Sequence, residues 1–248
     1  MVPVSGSNTA DQLDVMLAER VIAGGLRGQR LMESRQRRDV RWIIGALGGR
    51  GVHVTECDVE ACLQATSGRF LPGQPEHGLI RGMRAAIDHL ETRAEYGMLP
   101  NGKAMVQLYD LLTADLFGLA NTTLRAADPW EILLGIDYPQ PAELKGQLAR
   151  FHRECGYLVR LPLFDALHPV GQAAMLLHQF VRIAPFRDFN LLVGGLAASW
   201  YLLAYGYPPF LPQAVDGATM RLVLAGKGGR TEEWFSEIVL VGYRTIVA

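Results

Sequence analysis

From Leu79 to the C-terminus, apolar residues return every three or four positions in run after run, broken by short stretches rich in Gly, Pro and Asn. That spacing belongs to helices that each bury one face. It predicts helices over residues 79–97, 102–120, 142–159, 170–183, 191–206 and 231–247, with the Met98-Leu99-Pro100-Asn101-Gly102 turn joining the first two. Upstream, Thr9 precedes an amphipathic stretch over 10–31 that Gly24, Gly25 and Gly28 weaken, and a second helix over 33–49 stops at Gly48-Gly49. Residues 51–55 (GVHVT) alternate like a short strand, and 58–66 read as a helix. Residues 129–141 (PWEILLGIDYPQP) are the best strand or hairpin candidate, and residues 1–8 read as a loose tail. The run Gly73-Gln74-Pro75-Glu76 breaks the pattern, dividing a mainly helical extension (1–75) from a helical domain (76–248). No repeat of 20 to 50 residues is present.

Charge narrows the functions open to such a chain. With 24 Lys+Arg against 25 Asp+Glu, the formal net charge is −1, which excludes a broad polycation acting on nucleic acid or anionic lipid. Arg35, Arg37, Arg38 and Arg41 cluster on the second helix and could meet phosphates; a solvated face paired with Glu33 and Asp39 is the favoured reading. Apolar residues at 49% supply a core. No apolar run reaches the roughly 18 residues of a membrane span, and the first twenty residues carry acids where a secretion signal is basic. Cys57, Cys62 and Cys155 form no CxxC, so reduced thiols in the cytoplasm are expected. Lysine is confined to Lys103, Lys145 and Lys227, a bias that fits a GC-rich, bacterial-like genome.

The stretch 168–209, HPVGQAAMLLHQFVRIAPFRDFNLLVGGLAASWYLLAYGYPP, carries the chemical information. His168-Pro169, Ala173-Ala174, His178, Phe180-Val181, Ile183, Pro185-Phe186, Asp188, Asn190 and Gly206-Tyr207-Pro208-Pro209 stand as they do around the signature His-Pro-Phe-x-Asp/Glu-Gly-Asn-Gly-Arg-x-x-Arg. The chain thereby resembles the Fic (Fic/Doc) family over roughly residues 78–248, with AIDHLE and MVQLYDLLTAD similar to that fold's helical hairpin. The resemblance implies an all-α fold: a Fic-like helical core, a short β-hairpin flap at Tyr138 and Gln140, where a simple connector is the equal alternative, and an N-terminal helical extension. Family members typically move a nucleotide, often AMP, from a triphosphate to a protein hydroxyl.

The departures from the signature are as specific as the matches. The histidine that would act as general base is Ala184; the two glycines that bare backbone amides to phosphates are Phe189 and Leu191. The two arginines are Leu192 and Gly195, leaving only Asp188, the family's magnesium holder, and Asn190. Phe189 and Leu191 are expected to resist positive φ and to fill the phosphate space. A positioned base contributes about 10²- to 10⁴-fold, and one preorganised donor about 10²- to 10³-fold. Replacing cations and bare amides with Leu, Leu and Phe also desolvates the site, so binding of Mg/ATP is expected to be weak or absent. The inhibitory segment of the family, Ser/Thr-x-x-x-Glu-Gly/Asn, is not found.

Two functional readings follow. In the first, the chain is a degenerate Fic-fold protein that binds a protein or small molecule without nucleotidyl transfer. In the second, it is a repurposed enzyme acting on a small metabolite or activated sugar. Its apolar pocket would then be lined by Ala184, Pro185, Phe186, Phe189, Leu191, Leu192 and Gly195, with Asp188, Asn190, His178 and Arg187 as polar groups. Neither requires a metal or cofactor, and a homo-oligomer is left open. His168, His178 and Asp165 lack a third ligand in helical register and read as structural. Cys155 near His152 and Glu154 reads as packing, and GKGGR (226–230) as a surface turn.

Overall fold

The computed structural model describes residues 6–22, 29–48, 51–64, 75–116, 124–130, 137–155, 162–210 and 230–247. The helices among the described residues are α1 (Gly6–Ile22), α2 (Gln29–Gly48), α3 (Glu56–Gln64), α4 (Pro75–Glu95), α5 (Gly102–Thr113), α6 (Leu144–Cys155), the turn α7 (Pro162–Asp165), α8 (Pro169–Ile183), α9 (Asn190–Ala204) and α10 (Arg230–Val247). A 3₁₀ turn, Pro141–Glu143, leads into α6. No strand occurs among the described residues, and none of their helices is long and apolar enough to cross a membrane.

α9 is apolar on every side, LLVGGLAASWYLLA after its opening asparagine, so only a central position can bury it. It packs against α8, α4 and α5, while α10 covers α8 and meets α1. Two glycines allow the close approaches. A Cβ at Gly82 on α4 would stand 2.4 Å from the Leu112 carbonyl oxygen of α5, and one at Gly194 on α9 would stand 2.9 Å from Leu177 Cδ1 of α8. One continuous core holds Leu13 of α1, Trp42 of α2, Ile80 of α4, Phe180 of α8 and Phe235 of α10.

Local chemistry accounts for the helix starts. Asn101 Oδ1 accepts from the Lys103 and Ala104 amides, both at 3.0 Å, to cap α5. The predicted strand over 51–55 does not form. Val52 and Val54 do turn toward the core, but Thr55 ends the segment as the cap of α3: its Oγ1 accepts from the Asp58 amide at 3.2 Å, and Asp58 Oδ2 accepts from the Thr55 amide at 2.8 Å. The loose tail is also corrected, because Gly6, Ser7 and Asn8 already belong to α1.

Of the clustered arginines of α2, Arg38 is buried, Arg41 is half-buried, and Arg35 and Arg37 are exposed. Arg38 is buried and donates through Nε to Asp39 Oδ1 at 2.9 Å and through Nη2 to Glu91 of α4. Arg84 of α4 reaches Asp39 Oδ2 at 2.6 Å, and Arg35 meets Glu95 at 3.4 Å. Arg38 is thus buried rather than solvated, since the Asp39–Glu91 pocket satisfies its fork. Burial pushes the Glu91 carboxyl up despite the facing Arg38 guanidinium.

Candidate functional site

The predicted signature folds as the loop between α8 and α9, six residues from Ala184 to Phe189. Reversing the chain between two packed helices in so few residues demands left-handed backbone at both ends. Ala184 has φ 42° and ψ 64°, and its amide still donates to the Phe180 carbonyl at 3.0 Å. Phe189 has φ 61° and ψ 17° and caps α9, its carbonyl accepting from the Val193 amide at 2.9 Å. Residues with a Cβ adopt this region at a cost of about 1–2 kcal/mol each. The expectation that Phe189 would resist positive φ is therefore corrected: the left-handed turn forms with a phenylalanine in it.

The retained polar side chains hold that turn. Asn190 Oδ1 accepts from the Phe186 amide at 2.9 Å, and its Nδ2 donates to the Phe186 carbonyl at 2.9 Å, a two-bond clip across the loop. Asp188 is buried, and its Oδ1 accepts from the Phe189 amide at 2.8 Å. Phe186 stacks on Tyr109 of α5 with ring centroids 4.1 Å apart, and Phe189 is buried in the same core. Packing of these rings, together with the Asn190 and Asp188 bonds, offsets the strain at the two ends.

The other predicted lining residues lie close by. Ala184 and Pro185 are buried, and Leu191 and Leu192 are half-buried against the core at the first turn of α9. Gly195 is not required by packing, since a Cβ there would meet only the Phe210 ring at 3.7 Å. His178 is half-buried on α8. Arg187 is exposed and lays its guanidinium 3.9 Å from the Trp130 ring centroid.

Three residues that the sequence reading passed over shape this face: Arg125, Trp130 and Tyr109. Residues 124–130 run alongside the loop, the Arg125 amide donating to the Pro185 carbonyl at 3.0 Å and the Trp130 amide to the Arg187 carbonyl at 2.7 Å. Arg125 is buried, and its guanidinium reaches the Ala184 carbonyl at 2.7 Å, that of Ala127 at 2.9 Å and that of Pro139 at 2.6 Å. Burial, partly offset by nearby Asp128 and Tyr138, lowers its pKa from the ordinary arginine value. No local pattern marks Arg125, because its partners stand up to 59 residues away.

The expected hairpin has no strand in its described flanks, 124–130 and 137–140, and residues 131–136 lie outside the described residues. Tyr138 is half-buried, its ring 5.9 Å from the Arg125 guanidinium carbon. Gln140 instead opens the 3₁₀ turn, its amide donating to Glu143 Oε2 at 2.7 Å.

His168 lies at the far end of α8, about 20 Å from the loop by helix length. Its Nδ1 accepts from the Val170 amide at 3.2 Å and caps the helix, so its proton sits on Nε2, 3.0 Å from the Tyr207 hydroxyl and 3.2 Å from Asp14 Oδ1. Tyr207 donates to that same Asp14 oxygen at 2.5 Å, and burial, reinforced by Asp14, pushes its phenol pKa up. His168 thus serves as the N-cap of α8. No group of three or more His, Cys, Asp or Glu suited to a metal occurs among the described residues. Cys57 is exposed and Cys62 buried, both free thiols. The side chain of Cys155 and residues 226–229 of the expected turn lie outside the described residues, while Arg230 opens α10.

Residues 101–202 match the model of the Fic/DOC family. Three solved structures share the fold at low identity. A Fic domain containing signaling protein from Bacteroides thetaiotaomicron is 14% identical with TM-score 0.77, covering 96% of this chain and 95% of that one. Fic-1 from C. elegans is 15% identical with TM-score 0.74, covering 97% and 70%. A Fic family protein from Desulfovibrio desulfuricans is 17% identical with TM-score 0.74, covering 100% and 75%. No curated protein matches the sequence.

Proposed function

With residues 101–202 carrying a Fic/DOC domain on a fold shared with Fic proteins, we propose that this chain has lost nucleotidyl transfer and acts by binding a protein or small molecule. One observation carries the reading: the buried polar side chains at the loop bond the chain's own backbone. Asn190 clips Phe186, an Asp188 oxygen takes the Phe189 amide, and Arg125 faces backbone carbonyls. The position of the family's base is a buried alanine whose carbonyl faces Arg125.

A magnesium triphosphate does not fit these residues. The family's magnesium holder corresponds to Asp188, which is buried and bonded to the turn, and the phosphate clamps correspond to Leu192 and Gly195. Arg187, the exposed cation of the loop, is stacked on Trp130. Taking phosphates from water into a site lined by Leu191 and Leu192, without a cation to receive them, costs several kcal/mol. No step is routed through the nucleotide.

The test is calorimetric titration of the purified chain with ATP and Mg²⁺, paired with an assay for transfer of labelled AMP to itself and to a cell lysate. The expected result is no saturable heat at up to millimolar ATP and no label. Micromolar affinity or label transfer would overturn the reading.

A further inference from the structure

The arrangement around Arg125 goes beyond the loss of nucleotide chemistry. A guanidinium carries five N–H donors in one plane and accepts nothing. Here it is 4% exposed and turned on carbonyls from three stretches of chain: Ala184 and Ile183 at the end of α8, Ala127 in its own segment, and Pro139 beyond it. The Ile183 and Ala184 carbonyls close α8, where unsatisfied carbonyls gather partial negative charge, so a cation is favoured there. Two backbone bonds run in parallel, Arg125 to Pro185 and Trp130 to Arg187. The Arg187 side chain then folds back over the Trp130 ring, closing the arrangement from the outside.

We propose that Arg125 pins a closed strap, residues 124–130 with Pro139, against the α8–α9 loop, so that strap and loop form one cooperative unit that opens when the pin is released. The strap occupies the loop's own backbone edge. The Pro185 and Arg187 carbonyls already have amide donors from within the chain, so an extended peptide can pair with them by strand addition only after the strap lifts. The strap is a built-in gate on that edge. Its operation does not depend on whether the loop binds nucleotide, so the test below is independent of the ATP titration.

Hydrogen exchange followed by mass spectrometry on the full chain tests the gate. In Arg125→Met, peptides covering 124–130, 137–140 and 184–190 should exchange about tenfold faster or more, a scale that the loss of even one of these charge-assisted hydrogen bonds sets as a minimum. Peptides from α4 and α5 should keep their wild-type rates. Arg125→Lys, which retains the charge and fewer donors, should give a smaller acceleration at the same peptides. Trp130→Ala, which removes the outer stack alone, should leave peptide 137–140 at the wild-type rate. Unchanged exchange at the strap and loop in Arg125→Met would overturn the proposal. So would equal acceleration in α4 and α5, since Arg125 would then serve global stability only. If Arg125→Met does not fold, Arg125→Lys decides by the same criteria: selective acceleration supports the pin, and uniform or absent acceleration refutes it.

Discussion

Replacing Phe189 with glycine sets backbone strain against packing and asks which governs the loop. Phe189 sits at φ 61°, a region glycine enters freely, so Phe189→Gly relieves about 1–2 kcal/mol of backbone strain. Against this, the ring is 4% exposed and belongs to the core, and truncating a buried Phe costs about 3–5 kcal/mol. Glycine also frees the unfolded chain, by about a further 0.5–1 kcal/mol. The packing loss wins, leaving a net destabilisation of about 3 kcal/mol. At about 2–4 °C per kcal/mol for a chain of this length, Tm should fall by roughly 6–12 °C. Guanidinium unfolding followed by circular dichroism should show a lower midpoint with an unchanged slope. On the proposed function, ATP binding should not appear in the variant either, since the substitution adds no cation to the loop. A Phe189→Gly protein as stable as the wild type, or more so, would refute the reasoning: the ring would not be holding the turn, and the loop would be a glycine turn burdened by a side chain.

Two further outcomes follow from the helix packing. Gly82→Ala should lower stability by about 1–3 kcal/mol or more, because its Cβ would stand 2.4 Å from the Leu112 carbonyl oxygen, a backbone atom that cannot move aside. Gly195→Ala, whose Cβ meets only the Phe210 ring at 3.7 Å, should be neutral or slightly stabilising through helix propensity; equal effects of the two in thermal melts would contradict the packing. Burial, with Arg93 nearby, holds the His89 imidazole below the usual 6.5, outweighing the raising effect of the Gln107 side chain. The unfolded chain therefore takes up protons first as pH falls. The His89 contribution declines below about pH 6.5 and levels off once the folded pKa is passed. Tm measured from pH 8 to 5 should drop less on the acid side in His89→Leu than in the wild type, and parallel curves would show that His89 carries none of the acid sensitivity.

Much of this was legible along the chain because its causes are local. Helical spacing places α4, α8, α9 and α10 to within a few residues, and the start of α5, which ends at Thr113 where the spacing predicts residue 120, since one-sided burial leaves a period that the sequence itself displays. The same reading locates the α8–α9 loop, because a residue type is visible wherever it stands. The alternation over 51–55 misleads for an equally physical reason: a strand needs a partner, and Thr55 and Asp58 instead commit that segment to starting α3. Only the tertiary structure decides that Phe189 keeps the turn, that Gly82 is required while Gly195 is not, and that Arg125 secures the strap. Each of these depends on atoms brought together from distant positions: the Tyr109 ring beneath Phe186, the Leu112 backbone against Gly82, and the Ala184 carbonyl before the Arg125 guanidinium. Composition and period describe a chain against water, whereas these contacts describe it against itself.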